Sequence, residues 1–140
     1  MEQLPSSAQR YTTREKHNLS QTAILVLDTI GLLSSCYKYG HIAYVGGAMG
    51  GSGLHNILEP AAAGLPIVIG KNYHQFPEAV DLVKKGGVIS ITTKTDAVKH
   101  LNNLMENPSE RVEKGTVNLS YITSKAGATI RIIKSLSAKA

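Results

Sequence analysis

From Gly46 to Glu59 the chain reads Gly-Gly-Ala-Met-Gly-Gly-Ser-Gly-Leu-His-Asn-Ile-Leu-Glu. A hydroxyl, an imidazole, an amide and a carboxylate (Ser52, His55, Asn56, Glu59) fall close together behind a run of glycines. That combination suits an anion. Glycines let the backbone N–H groups come close to a ligand, and the first N–H groups of a following helix have no partner of their own. The spacing is neither of the two common phosphate motifs: no Gly-Lys-Ser/Thr closes the loop, and the strict G-x-G-x-x-G pattern is absent. A plainer reading stays open beside it, in which the glycines serve a turn, Asn56 and Glu59 form a capping box, and His55 is a structural histidine.

The flanking sequence supplies elements to hold such a loop. Ile42-Ala43-Tyr44-Val45 reads as a buried strand leading in, and residues 57–63 read as a helix leading out to Gly64. Upstream, Ile24-Leu25-Val26-Leu27 reads as a buried strand ending at Asp28-Thr29, followed by a helix over about 32–39 that Gly40 closes. Downstream, Pro66 precedes a strand over 67–69 that Gly70 stops. A helix then opens at Pro77 and ends at Gly86-Gly87. Val88-Ile89-Ser90-Ile91 is a fourth strand. Thr95 or Asp96 caps the next helix, which stops at Asn107-Pro108. A last helix is expected near Ser109, with a tail helical from about 118 to 137, interrupted where Gly115 and Gly127 weaken it. Residues 1–22 are a polar lead-in without clear periodicity.

Strands alternating with helices need crossover connections. The expected fold class is therefore α/β: a Rossmann-like three-layer sandwich with a mainly parallel sheet and a C-terminal helical tail. Ligands in such sheets bind at the carboxyl ends of the strands, where Asp28-Thr29, the glycine loop and the 70–76 loop all fall. Residues 1–140 are read as a single domain, with 1–22 as lead-in and 109–140 as tail.

Composition narrows the function classes. The chain has 140 residues, 42% hydrophobic content, a net charge of +5 and one cysteine, Cys36. A lone cysteine cannot form an internal disulfide and fits a reducing compartment. No apolar run reaches the length of a membrane span. One Phe, no Trp and scattered basic residues argue against nucleic-acid recognition. The histidines show no metal-like spacing. Asp28 is a turn or cap residue ahead of a catalyst.

With these residues in view, the chain resembles the carboxyl-terminal half of the 3-deoxy-D-manno-octulosonic acid (Kdo) transferases, lipopolysaccharide enzymes with a GT-B glycosyltransferase fold. The resemblance is carried by Asp28-Thr29-Ile30-Gly31, Ala43-Tyr44-Val45-Gly46-Gly47, Gly53-Leu54-His55-Asn56-Ile57-Leu58-Glu59, and Gly70-Lys71-Asn72-Tyr73 with Phe76 and Glu78-Ala79. It covers most of residues 24–91. It implies one half of a GT-B fold that binds the donor CMP-Kdo, with no cofactor and no metal. The acceptor, a lipid A precursor, and the general base would belong to an amino-terminal domain absent from this chain, so the chain alone is expected to be inactive. The full-length enzyme would invert the anomeric centre and release CMP, working at the cytoplasmic side of the bacterial inner membrane.

Carried over position by position, the resemblance makes Ser52, Gly53, His55 and Asn56, with Gly47, a phosphate cradle at the helix start. It sets Glu59 against the ribose hydroxyls and Ile30 and Gly31 along the nucleoside. Asn72 and Phe76 border the sugar. The chain departs from many relatives at Leu32, where a carboxylate is common, and at Lys71, where proline is common. Two other readings stay open: the donor half of a GT-B enzyme using a UDP-sugar, and a non-catalytic basic module docking on anionic lipid or a partner.

Overall fold

The computed structural model describes residues 8–16 and 22–137, which fall into two compact units, residues 1–36 and 37–140. In the first, β1 (Ala8–Arg10) pairs in parallel with β2 (Ile24–Val26), and a 3-10 helix, Tyr11–Lys16, follows β1. A short helix α1 (Leu33–Cys36) closes the unit. Strand β1 lies inside the stretch read as a polar lead-in without clear periodicity. The strand predicted over 24–27 is present one residue shorter, but it is not buried: Ile24 and Leu25 are 45% and 46% exposed. A two-stranded sheet is too small to bury both faces of a strand.

In the second unit the chain runs through a 3-10 turn, Tyr37–Tyr39, then β3 (Ala43–Val45), α2 (Leu58–Ala62), β4 (Ile67–Gly70), α3 (Pro77–Lys85), β5 (Val88–Ile91), α4 (Lys94–Glu106), α5 (Pro108–Lys125) and α6 (Ala128–Ser137). The sheet is parallel with order β3-β4-β5, register Ala43 to Ile67 and Ile67 to Val88. The central strand is apolar throughout and buried on both faces, as a parallel strand between two helix layers must be. Period-two alternation divides the core. Ile67 and Ile69 join Leu54, Ile57, Ala61, Ala79, Leu82 and Tyr121 on one side; Val68, Ile91 and Leu104 pack with Leu101 on the other. The expected α/β class, a parallel sheet flanked by helices, is the observed one.

Local chemistry explains most boundaries. Pro77 opens α3 at its first position, Glu78 and Lys84-Lys85 complement its dipole, and Gly86 ends it at φ +86°. Three boundaries differ from expectation. The cap of α4 is Thr93: its hydroxyl accepts from the Asp96 N–H at 3.1 Å, and the Asp96 carboxylate accepts from the Thr93 N–H. Asp96 is thus the N3 partner of the box, not the cap. Gly40 is not a left-handed terminator, since its φ is not positive; it gives room for Leu65, whose Cδ1 would lie 3.2 Å from a Cβ there. Gly115 does not interrupt the tail. It sits buried inside α5 because a Cβ there would lie 2.0 Å from the Gly64 carbonyl oxygen, so glycine is what lets this helix approach. The break falls at Ala126-Gly127, the other of the two glycines expected to weaken the tail.

Candidate functional site

The loop between β3 and α2 is held at three points. At its neck, His55 N–H donates to Gly46 O at 3.1 Å. Gly47, at φ +94°, passes so close to Gly53 that a Cβ on it would lie 1.8 Å from the Gly53 carbonyl oxygen. No other residue type fits there. At the far side the end of β4 presses on the loop: a Cβ on Gly70 would lie 2.3 Å from Ala48 C and Met49 N. Asn72 then ties the two loops together. Its N–H donates to Ala48 O at 2.9 Å and its side-chain amide to Gly50 O at 2.8 Å. The glycine loop is therefore a fixed shape, set by backbone approach to a buried strand.

Between the two loops lies a cleft of about 330 Å³ lined by Gly50, Gly51, Gly53, Asn72, His74, Gln75 and Phe76. Phe76 is half-buried, and its ring tip would lie 3.6 Å from a Cβ on Gly53. The N–H groups of Gly51, Ser52 and Gly53 meet no acceptor among the described residues, so they remain available to an anion. Ser52 hydroxyl turns back to Gly47 O at 3.4 Å. The imidazole of His55 is exposed and lies over the neck, beside Gly46 and Gly47. Three of the predicted site residues, Gly53, Asn72 and Phe76, line this cleft, while Gly47, Ser52 and His55 lie together at the neck of the same loop.

The others are placed differently. Helix α2 begins at Leu58 and has five residues, so Ser52 and Gly53 lie well before its start, and so short a helix carries little dipole. The residues expected at a helix N-terminus therefore lie in the loop ahead of it. Asn56 Oδ1 accepts from Leu58 N–H at 2.9 Å, and Asn56 Nδ2 donates to Glu59 Oε1 at 2.9 Å. The pair serves the helix start, in a geometry different from a capping box: Ile57 is the N-cap, and its side chain makes no bond. Glu59 does not line the glycine cleft. It lines a second hollow of about 560 Å³ with Leu58, Ala62, Glu78, Tyr121, Ile122, Lys125 and Ala126. Its negative charge adds to burial in raising the Tyr37 phenol above its ordinary pKa.

Ile30 and Gly31 belong to the first unit. Ile30 is fully exposed and Gly31 turns the chain at φ +91°. Asp28, just before them, accepts from the Thr12 hydroxyl at 2.7 Å and the Thr12 N–H at 3.1 Å, with Arg10 at 3.7 Å. Chiefly the Thr12 hydroxyl holds its carboxyl below the usual pKa. A carboxylate so engaged anchors the strand end, as its position in the sequence suggested. His74 and Gln75 were not singled out from the sequence as site residues; their place in the polar loop after a strand end was the available signal.

No protein-family model matches the chain. Its curated relatives are consistent with one another. The 3-deoxy-D-manno-octulosonic acid transferase of Haemophilus influenzae is 32% identical over 126 residues, 89% of this chain and 29% of that protein. The transferase of Aquifex aeolicus is 35% identical over 89 residues, 63% of this chain and 25% of that protein. The chain belongs to the Kdo transferase family. It spans less than a third of the length of the curated family members it matches. A probable mitochondrial Kdo transferase of Arabidopsis thaliana matches at 33% identity over 98 residues, 67% of this chain and 22% of that protein. Among solved structures, the C-terminal CMP-Kdo binding domain of WaaA from Acinetobacter baumannii superposes with a TM-score of 0.70 at 22% identity, covering 84% of this chain and 61% of that one. The shared fold is the Rossmann-like half of a GT-B glycosyltransferase.

Proposed function

We propose that this chain is the donor-binding part of a Kdo transferase, and that it holds CMP-Kdo while a partner domain presents a lipid A precursor at the cytoplasmic face of a bacterial inner membrane. The observation that carries the reading is the glycine loop pinned by Gly70 and Asn72, with the N–H groups of Gly51, Ser52 and Gly53 unpaired among the described residues and an exposed histidine at its neck. The donor carries two anionic groups, the phosphate that links the cytidine to the anomeric carbon and the free carboxylate of the sugar. Fixed N–H dipoles and the His55 ring suit the phosphate, because they need no reorganisation as the leaving charge develops. This part of the chemistry asks nothing of a metal ion. Gly47, Ser52, Gly53 and His55 meet the phosphate, Asn72 and Phe76 border the sugar, and Glu59 with Asn56 accepts hydroxyls of the ribose. Transfer itself needs a general base from outside this chain.

The test is a chimera in which this chain replaces the matching 126 residues of the Haemophilus influenzae relative. The chimera should transfer Kdo from CMP-Kdo to lipid A precursor. Gly53→Val should raise the donor KM at least tenfold and leave the acceptor KM unchanged. A folded chimera that used only UDP-sugars, or a Gly53→Val effect confined to the acceptor, would refute the assignment.

A further inference from the structure

One side chain at the cleft beside the glycine loop has no part in holding the phosphate. His74 and Gln75 occupy the two central positions of a turn that the Phe76 N–H closes on Tyr73 O at 2.9 Å. The His74 ring lies against the Tyr73 ring, with centroids 4.4 Å apart and planes 31° from each other. Tyr73 in turn packs against the core of the second unit. His74 is therefore exposed at the cleft wall yet held from behind, so little side-chain freedom is lost when a ligand arrives. The other polar groups of that wall are engaged or neutral. The Asn72 amide donates to Gly50 O at 2.8 Å. Gln75 offers a neutral amide, and no carboxylate lines the cleft. Lys71, the basic residue of the same loop, does not line it either. Of the side chains that do, the His74 imidazole alone can carry positive charge.

We propose that His74 reads the carboxylate of the donor sugar. The inference rests on the donor reading above and adds the second anion to it. In a sugar acid of this kind the carboxylate and the phosphate are attached to the same anomeric carbon, so a cleft that seats one must meet the other. The unpaired N–H groups of the glycine loop, with His55 at the neck, answer the phosphate. His74 stands on the other loop that borders the cleft. A carboxylate accepting from an imidazolium N–H makes a charge-assisted bond, about twice as strong as a neutral one. A donor with a neutral sugar would leave His74 without that partner, so the residue selects sugar acids over neutral sugars.

The test titrates the isotope-labelled chain with CMP and with CMP-Kdo, following amide shifts and the His74 ring resonances. CMP-Kdo should bind about tenfold more tightly than CMP, and the His74 ring should shift with CMP-Kdo and not with CMP. His74→Phe keeps a ring against Tyr73 and removes the donor. It should bring CMP-Kdo down to about the affinity of CMP and leave CMP itself within about twofold of the native value. His74→Arg restores a cationic donor and should keep most of the preference. Three results would overturn the proposal: a preference for CMP-Kdo unchanged in His74→Phe, equal weakening of both ligands by that variant, which marks a purely structural residue, or a full preference in His74→Gln, which marks a neutral group as the one being read. CMP binding at the glycine loop with a His74 ring silent to CMP-Kdo would remove this inference alone. A native chain that binds neither ligand would overturn the donor reading beneath it.

Discussion

Gly70→Ala is the sharpest probe of how the site is held. Gly70 ends the buried strand β4, and its φ is not positive, so alanine brings no backbone strain. The added methyl would lie 2.3 Å from Ala48 C and Met49 N and 2.6 Å from Ala48 O. These are backbone atoms, not a flexible side chain, so the loop must move by an ångström or more. Overpacking of this kind costs about 1–3 kcal/mol. The movement also pulls on two bonds from Asn72, to Ala48 O at 2.9 Å and Gly50 O at 2.8 Å, each worth about 0.5–1.5 kcal/mol. Together the loss is about 3 kcal/mol, a large part of a domain's stability of roughly 5–15 kcal/mol. Urea unfolding measures it directly. Asn72→Ala, which removes only the side-chain bond, should cost about 1 kcal/mol. Amide shifts in Gly70→Ala should centre on residues 47–53 and spare α4. A loss below about 0.5 kcal/mol, with the Ala48 and Met49 amides unmoved, would refute the claim that β4 sets the loop's shape.

Other expectations follow from the same geometry. Asn118 is fully buried on α5 and donates to Leu65 O at 2.7 Å and Gly87 O at 3.0 Å. Asn118→Ala leaves two buried carbonyls unpaired and should cost about 2–5 kcal/mol by urea unfolding, without moving the resonances of the glycine loop. Thr93→Ala removes the α4 cap and should cost about 1 kcal/mol by thermal unfolding. Burial, followed by the hydrogen bond to Asp81 at 3.0 Å and that carboxylate's charge, raises the Tyr121 phenol above its ordinary value of 10.0. Its contribution is therefore complete below pH 10 and lost as pH rises through the folded value. Melting temperature should fall more steeply above pH 10 in the native chain than in Tyr121→Phe.

The sequence was legible where one signal had one cause. Pro77 and Gly86 bounded α3 because a fixed φ and a left-handed φ leave few alternatives. Strand β4 was legible from its unbroken apolar run. It failed where a residue's role depends on a distant neighbour. Nothing local shows that Gly115 faces the Gly64 carbonyl, so it read as a helix breaker although it permits a helix contact. Ala8-Gln9-Arg10 has no β-branched residue, and it is a strand only because β2 is beside it. Both Thr93 and Asp96 take part in one box, and a linear pattern could not say which caps. At the site, the glycine loop, His55 and Asn72 were legible as a group. The division between the glycine cleft and the hollow at Glu59 was not, because it follows from where α2 begins and from how α5 packs beside it.

The most direct test of the central claim is a titration of isotope-labelled chain with CMP, with UMP and AMP in parallel, followed by amide shifts. A site open on one side should bind weakly, with a Kd of roughly 1 mM, about −4 kcal/mol. The account predicts the largest shifts with CMP at Gly47, Gly51, Gly53, His55, Asn56 and Glu59, with smaller responses to UMP and AMP. Shifts elsewhere on the folded chain, or equal responses to all three nucleotides, would contradict the claim that this loop is a CMP-sugar site.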